Sequence, residues 1–194
     1  MEHCVEYTVE AGRPDTIDRE KLLALREAGI GRISINPQTM NQDTLEIIGR
    51  RHTVAQTIEA FHLARELNYN NINMDLIVGL PGEDISKVKY TLEKVKELSP
   101  DSLTVHSLAV KRAARLNMFK DKYQEMTFEN NQEIMDLTQQ TAYSMEMGPY
   151  YLYRQKNMKG NFENVGYAKV DKAGIYNILI MEEKQPIIAL GAGG

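Results

Sequence analysis

The spacing of apolar and polar residues changes period repeatedly along this chain, and each change marks an element. Val5-Glu6-Tyr7-Thr8-Val9 alternates and then meets Gly12-Arg13-Pro14-Asp15, which predicts a strand closed by a turn. From Ile17 the period lengthens: Ile17, Leu22, Leu25 and Ala28 recur at helical spacing, with Thr16 or Asp18 to cap the start and Gly29 to end the helix. Gly31-Arg32-Ile33-Ser34-Ile35-Asn36-Pro37 predicts a second strand. Helical stretches over about 41–48 and 54–67 lead to a third strand, Ile72-Asn73-Met74-Asp75-Leu76-Ile77-Val78, which ends in Gly79-Leu80-Pro81-Gly82. The stretch 86–98 is amphipathic, with Val88, Leu92, Val95 and Leu98 on one face, and Ser102 to Ser107 reads as a fourth strand. Strands alternating with helices demand a parallel sheet with helical crossovers, as a doubly wound sheet or a TIM-like barrel, so the fold class is α/β.

After Ser107 the pattern changes. A basic stretch holds Lys111, Arg112 and Arg115, a long helix is predicted from about Phe128 to Met147, and Tyr143, Tyr150, Tyr151 and Tyr153 follow. Tyr176 to Met181 and Ile187 to Leu190, separated by charged residues and Pro186, predict a small antiparallel strand pair before the terminal Gly191-Ala192-Gly193-Gly194. The expected division is a barrel part over 1–110 and a different region over 111–194.

Composition narrows the chemistry. The 194 residues, 42% of them hydrophobic, suffice for one sizeable core. Against 27 acidic residues stand 23 basic ones, and the net charge of -4 gives no cationic field for nucleic acid or anionic lipid. No apolar run reaches bilayer-spanning length and the first residues do not read as a secretory signal, so the expectation is a cytoplasmic protein with neither nucleic acid nor membrane as partner. The single cysteine, Cys4, leaves no internal disulfide and no iron–sulfur cluster held by several thiolates of this chain.

In parallel α/β sheets ligands bind beyond the carboxyl ends of the strands, which singles out Glu10, Gln38, Asp75 and His106 with Ser107. Asp75 is the most informative, because a carboxylate inside a parallel strand needs a partner: a ligand leads, and a structural salt bridge or backbone amides are the alternative. Glu10 reads equally as a solvated loop acid, and Gln38 equally as the close of a turn. Arg50-Arg51-His52 reads first as a solvated connection between helices. His106 is a packed or hydrogen-bonded strand histidine before it is a metal ligand, because His3, His52, His62 and His106 have no metal-binding spacing. Gly79-Leu80-Pro81-Gly82 lacks the lysine and serine of a phosphate loop.

Thr8-Val9-Glu10-Ala11-Gly12-Arg13-Pro14, Ser34 to Met40, Gly49-Arg50-Arg51-His52 and Met74 to Gly82 resemble, in order and spacing, successive motifs of the radical S-adenosylmethionine (SAM) enzymes of the oxygen-independent coproporphyrinogen III oxidase, or HemN-like, family. Tyr150 to Met158 and Gly160 to Tyr167 resemble its HemZ-type branch. The resemblance implies a partial TIM-like radical SAM barrel of four consecutive βα-type strands, followed by a helical and small antiparallel segment. It implies Glu10, Gln38, Arg50 and Asp75 as SAM-binding residues, with Ala109 as a backbone or packing contact. In the family a [4Fe-4S] cluster, bound through a three-cysteine motif, reduces SAM to a radical that starts oxidative decarboxylation of propionates to vinyls in heme biosynthesis. That motif is absent, so the chain is expected to be a fragment that lacks the N-terminal cluster-binding region of the same protein and is inactive alone. The implied partners are a tetrapyrrole substrate and an electron donor, and Lys111, Arg112 and Arg115 either face substrate propionates or start a solvated helix. Anaerobic heme ring opening and non-catalytic heme trafficking are the alternative functions.

Overall fold

A computed structural model of the chain describes residues 3–108, 130–153, 164–188 and 190. Six strands form one sheet: β1 (Thr8–Glu10), β2 (Arg32–Gln38), β3 (Ile72–Val78), β4 (Ser102–Ser107), β5 (Gly148–Tyr153) and β6 (Asn164–Ala168), in the order β1-β2-β3-β4-β6-β5. β1 to β4 pair in parallel; β6 runs antiparallel to β4, and β5 antiparallel to β6. The mixed α/β architecture with its parallel sheet is the one expected from the alternation, and strands from both sides of position 110 join it.

Between the strands lie α1 (Arg19–Glu27), α2 (Gln42–Ile47), α3 (Val54–Glu66) and α4 (Ile85–Leu98), with α5 (Gln132–Ser144) and α6 (Ile175–Met181) following. Their starts obey local chemistry. Asp18 accepts from the Lys21 amide, Asp84 from that of Lys87 and Asn131 from that of Ile134, while Thr53 and Gln56 form a reciprocal capping box. One face of the sheet is apolar: Ile33, Ile35, Ile72, Met74, Leu76, Leu103, Val105, Val165 and Tyr167 are buried there in one core with Leu22, Phe61, Leu92, Val95 and Ile134 of the helices. Asp101 locks the amino ends together. Its Oδ2 accepts from the Ile72 amide at 2.8 Å and from Arg65 Nη1 at 2.7 Å.

Two expectations change. The tail 176–181 is a helix, not half of an antiparallel pair; a short run that is apolar except for Asn177 has no period that separates the two, and β5 takes α6 against it. The first strand covers Thr8–Glu10 instead of 5–9. Helix α5 is shorter than the predicted 128–147, and residues 128 and 129 lie outside the described part, as do Ala109, Lys111, Arg112 and Arg115. Among the described residues no helix is long and apolar enough to cross a membrane.

Candidate functional site

The second face of the sheet is polar. Hydrophilic residues alternate with apolar ones over much of β2, β3 and β4: Arg32, Ser34 and Asn36; Asn73 and Asp75, before Ile77 ends the pattern; Ser102, Thr104 and His106. Parallel registry brings these positions side by side, Ser34 against Asn73, Asn73 against Ser102, Asp75 against Thr104, with Glu10 against Ser34. Strands buried on both faces would be apolar throughout, so this alternation marks a face turned to a polar interior. Hydrogen bonds knit it together. Asn36 Nδ2 donates to Glu10 Oε2 at 2.8 Å, Ser34 Oγ donates to Asn36 Oδ1 at 3.0 Å, and Asn73 Nδ2 donates to Ser34 Oγ at 2.9 Å and to Asp75 Oδ1 at 2.7 Å. Asn73 Oδ1 in turn accepts from Ser102 at 3.0 Å and Thr104 at 3.3 Å.

A cavity of about 490 Å³ opens on this face, lined by Glu10, Asp75, Thr104, His106, Arg32 and Tyr151 among others. Glu10 and Asp75 are thus brought together on one cavity wall. The partner that Asp75 needs is Asn73, and none of the ion pairs among the described residues includes it. Tyr151 reaches the cavity because Gly166 has no side chain: a Cβ there would lie 2.0 Å from Tyr151 Cε1. Burial pushes the Tyr151 phenol up to about 12, so it stays protonated, a neutral donor beside two carboxylates.

Gln38 and Arg50 do not line that cavity. Gln38 ends β2 beyond a bulge, since Ile35 pairs with Met74 but Gln38 with Leu76, and its backbone is left-handed, φ 68°. Arg50 and Arg51 are exposed after α2, but His52 is not part of a solvated connection. It is 1% exposed, with Nε2 3.2 Å from the Pro37 carbonyl, beside Gln38. Burial, with the Arg50 charge adding to it, holds its imidazole below the usual range.

Below Gln38 a second buried network fixes the same turn. Thr39 Oγ1 donates to Glu83 Oε1 at 2.6 Å, Asn41 Nδ2 donates to the same oxygen at 3.0 Å, and the Met40 amide donates to Thr91 Oγ1 at 3.1 Å. Burial pushes Glu83 above the ordinary carboxylate range despite these donors. The turn after β2 is thereby tied to the Gly79-to-Glu83 turn after β3 and to α4. The sequence assigns no role to Asn36, Asn73, Thr104, Tyr151 or Glu83, and reads His52 as part of a solvated connection. The signal for the first three was present as polar residues at every second position of strands expected to be apolar; nothing local marks the others.

Three comparisons bear on the site. Residues 4–95 match the radical SAM superfamily. The chain is 52% identical over 190 residues to the oxygen-independent coproporphyrinogen-III oxidase-like protein HemZ of Bacillus subtilis, covering 97% of this chain and 38% of that protein. It is 39% identical over 105 residues to the heme chaperone HemW of the same organism, covering 54% of this chain and 27% of the chaperone. The chain therefore spans well under half the length of these relatives. In solved structures the fold matches coproporphyrinogen III oxidase (HemN) from Escherichia coli with a TM-score of 0.65 at 24% identity, over 86% of this chain and 36% of that one. It also matches the archaeal Elp3 of Methanocaldococcus infernus with a TM-score of 0.60 at 21% identity, over 71% of this chain and 32% of that one.

Proposed function

Because this chain belongs to the radical SAM superfamily, we propose that it is the SAM-binding part of an oxygen-independent coproporphyrinogen III dehydrogenase, with 1–110 as partial barrel and 111–194 as the start of the region that follows. Glu10, Gln38, Arg50 and Asp75 hold SAM, and Ala109, outside the described residues, packs on it. The observation that carries this reading is the joining of Glu10 and Asp75 on one polar, hydrogen-bonded cavity wall. The donor set fits the cofactor: carboxylates suit an ammonium, a sulfonium and ribose hydroxyls, and Asn36 and Asn73 fix each carboxylate before anything binds. When bound, SAM supplies the hydrogen-abstracting chemistry. One cysteine does not supply three thiolates, so the ligands of a [4Fe-4S] cluster belong to polypeptide outside these residues, and an electron donor would serve that cluster. By this reading the fragment binds but does not turn over, and its substrate is a tetrapyrrole whose propionates lose CO₂.

The heme chaperone relative favours a second reading, heme trafficking on the same fold. The test uses the full-length protein under anaerobic conditions. Asp75→Asn and Glu10→Gln should each weaken SAM binding by about tenfold or more, roughly 1.4 kcal/mol, with the fold intact by circular dichroism. Wild type should form 5′-deoxyadenosine and decarboxylated porphyrinogen. Unchanged SAM affinity in both variants removes the site, and stable heme binding without porphyrinogen turnover replaces the dehydrogenase with the trafficking reading.

A further inference from the structure

Arg32 opens β2 on the polar face, level with Thr8, four positions along the strand from Asn36 and about 13 Å from it by strand rise. It is only 7% exposed. A guanidinium carries five N–H donors, yet the hydrogen bond it makes among the described residues is a long one, Nη2 to Ser102 Oγ at 3.3 Å, and the buried Nε has no partner. No ion pair compensates it there. Glu6 and Asp171 line the cavities beside it without pairing with it; Glu6 Oε1 is taken by the Thr8 hydroxyl and its Oε2 by the Ile175 amide. Arg32 lines both the cavity that holds Asp75 and an adjoining one of about 480 Å³, where Lys172 adds a second cation. Gly174 covers it without a side chain, and a Cβ there would lie 3.3 Å from Nη2.

A buried, unpaired cation with free donors is costly unless an anion meets it. We propose that Arg32 is the cationic floor of a carboxylate-binding site at the amino end of the sheet, within the cavity that Glu10 and Asp75 also line but independent of whether those residues hold SAM. The planar fork takes a carboxylate through two parallel N–H···O bonds. A monoanion fits better than a phosphate dianion, because Glu6, Glu10 and Asp75 line the same cavity. The carboxylate is that of a free small acid, for which propionate is the probe.

The test compares wild type, Arg32→Lys and Arg32→Gln in the full-length protein, following thermal midpoints in sodium propionate against sodium chloride at equal ionic strength and the ¹⁵N–¹H signal of the Arg32 Nε. A saturable rise of the wild-type midpoint with propionate, absent in Arg32→Gln, identifies a free acid. If the Nε–H signal is already shifted downfield without propionate, and the midpoint falls by roughly 5 °C or more in both variants, the protein supplies its own counter-charge and the free-acid site is overturned. The wild-type spectrum reports this even where a variant fails to fold. An Nε–H signal at the position of a solvated arginine, with midpoints insensitive to propionate, overturns the proposal.

Discussion

His52 and Glu83 carry opposite pH dependences within the supports of one turn. His52 is held below its ordinary value of 6.5, so it binds fewer protons folded than unfolded; its penalty is absent above pH 6.5 and grows as pH falls through that value. Glu83 is pushed above 4.5, so the folded state keeps its proton longer; the stability linked to it is full below pH 4.5 and is lost as pH rises through the higher folded value. Urea midpoints from pH 4 to 8 should therefore show His52→Gln with a shallower loss on acidification from pH 7 to 5. Glu83→Gln, whose amide oxygen still accepts from Thr39 and Asn41, should lose less stability than wild type as pH rises above 4.5. Curves parallel to wild type would remove these assignments. Neither residue was legible as a support in the sequence: His52 sits in a run of charges, and Glu83 follows a glycine turn. Only packing takes them out of water.

At the scale of elements, caps and cross-strand fits decide more than propensity. Thr53→Ala removes the side-chain half of the α3 capping box, leaving the backbone amide of residue 53 on Gln56 Oε1, and should cost about 1 kcal/mol by chemical denaturation. Leu92, 1% exposed on α4 against the sheet, should cost about 2–5 kcal/mol when cut to alanine. Gly166 tests the β5–β6 pair. Gly166→Ala drives a methyl into the Tyr151 ring and should destabilise by about 1–3 kcal/mol, while the same change in a Tyr151→Ala background should cost much less. Equal costs in both backgrounds would show that the ring does not lie over Gly166. The periodicities of α1, α3 and α4 were readable because each has a polar side and a cap. The tail was not: Ile175–Met181 is apolar except for Asn177, and only its seat against β5, with Asn177 Nδ2 donating to the Tyr150 hydroxyl, makes it a helix.

For the molecule as a whole, the sheet divides an apolar face from a polar one. β2, β3 and β4 each pair on both sides and carry the buried core, whereas β5 pairs only with β6 and α6 buries no residue fully. Amide hydrogen exchange followed by mass spectrometry should be slowest in β3 and markedly faster in β5 and α6; uniform protection would contradict this layering. The sequence by itself determined the order of βα units, the start of α1 at Thr16 or Asp18, and the carboxylates Glu10 at the end of one strand and Asp75 inside another, because those depend on local period and capping. It also held the polar face, as alternation in Arg32-Ile33-Ser34-Ile35-Asn36. Tertiary structure alone decided that Asn36 and Asn73 link the two carboxylates, that a bulge separates Gln38 from their cavity, and that Arg32 lies buried without a counter-charge. Those outcomes depend on strand register and on exclusion of water, and both arise only when segments distant in the chain are packed together.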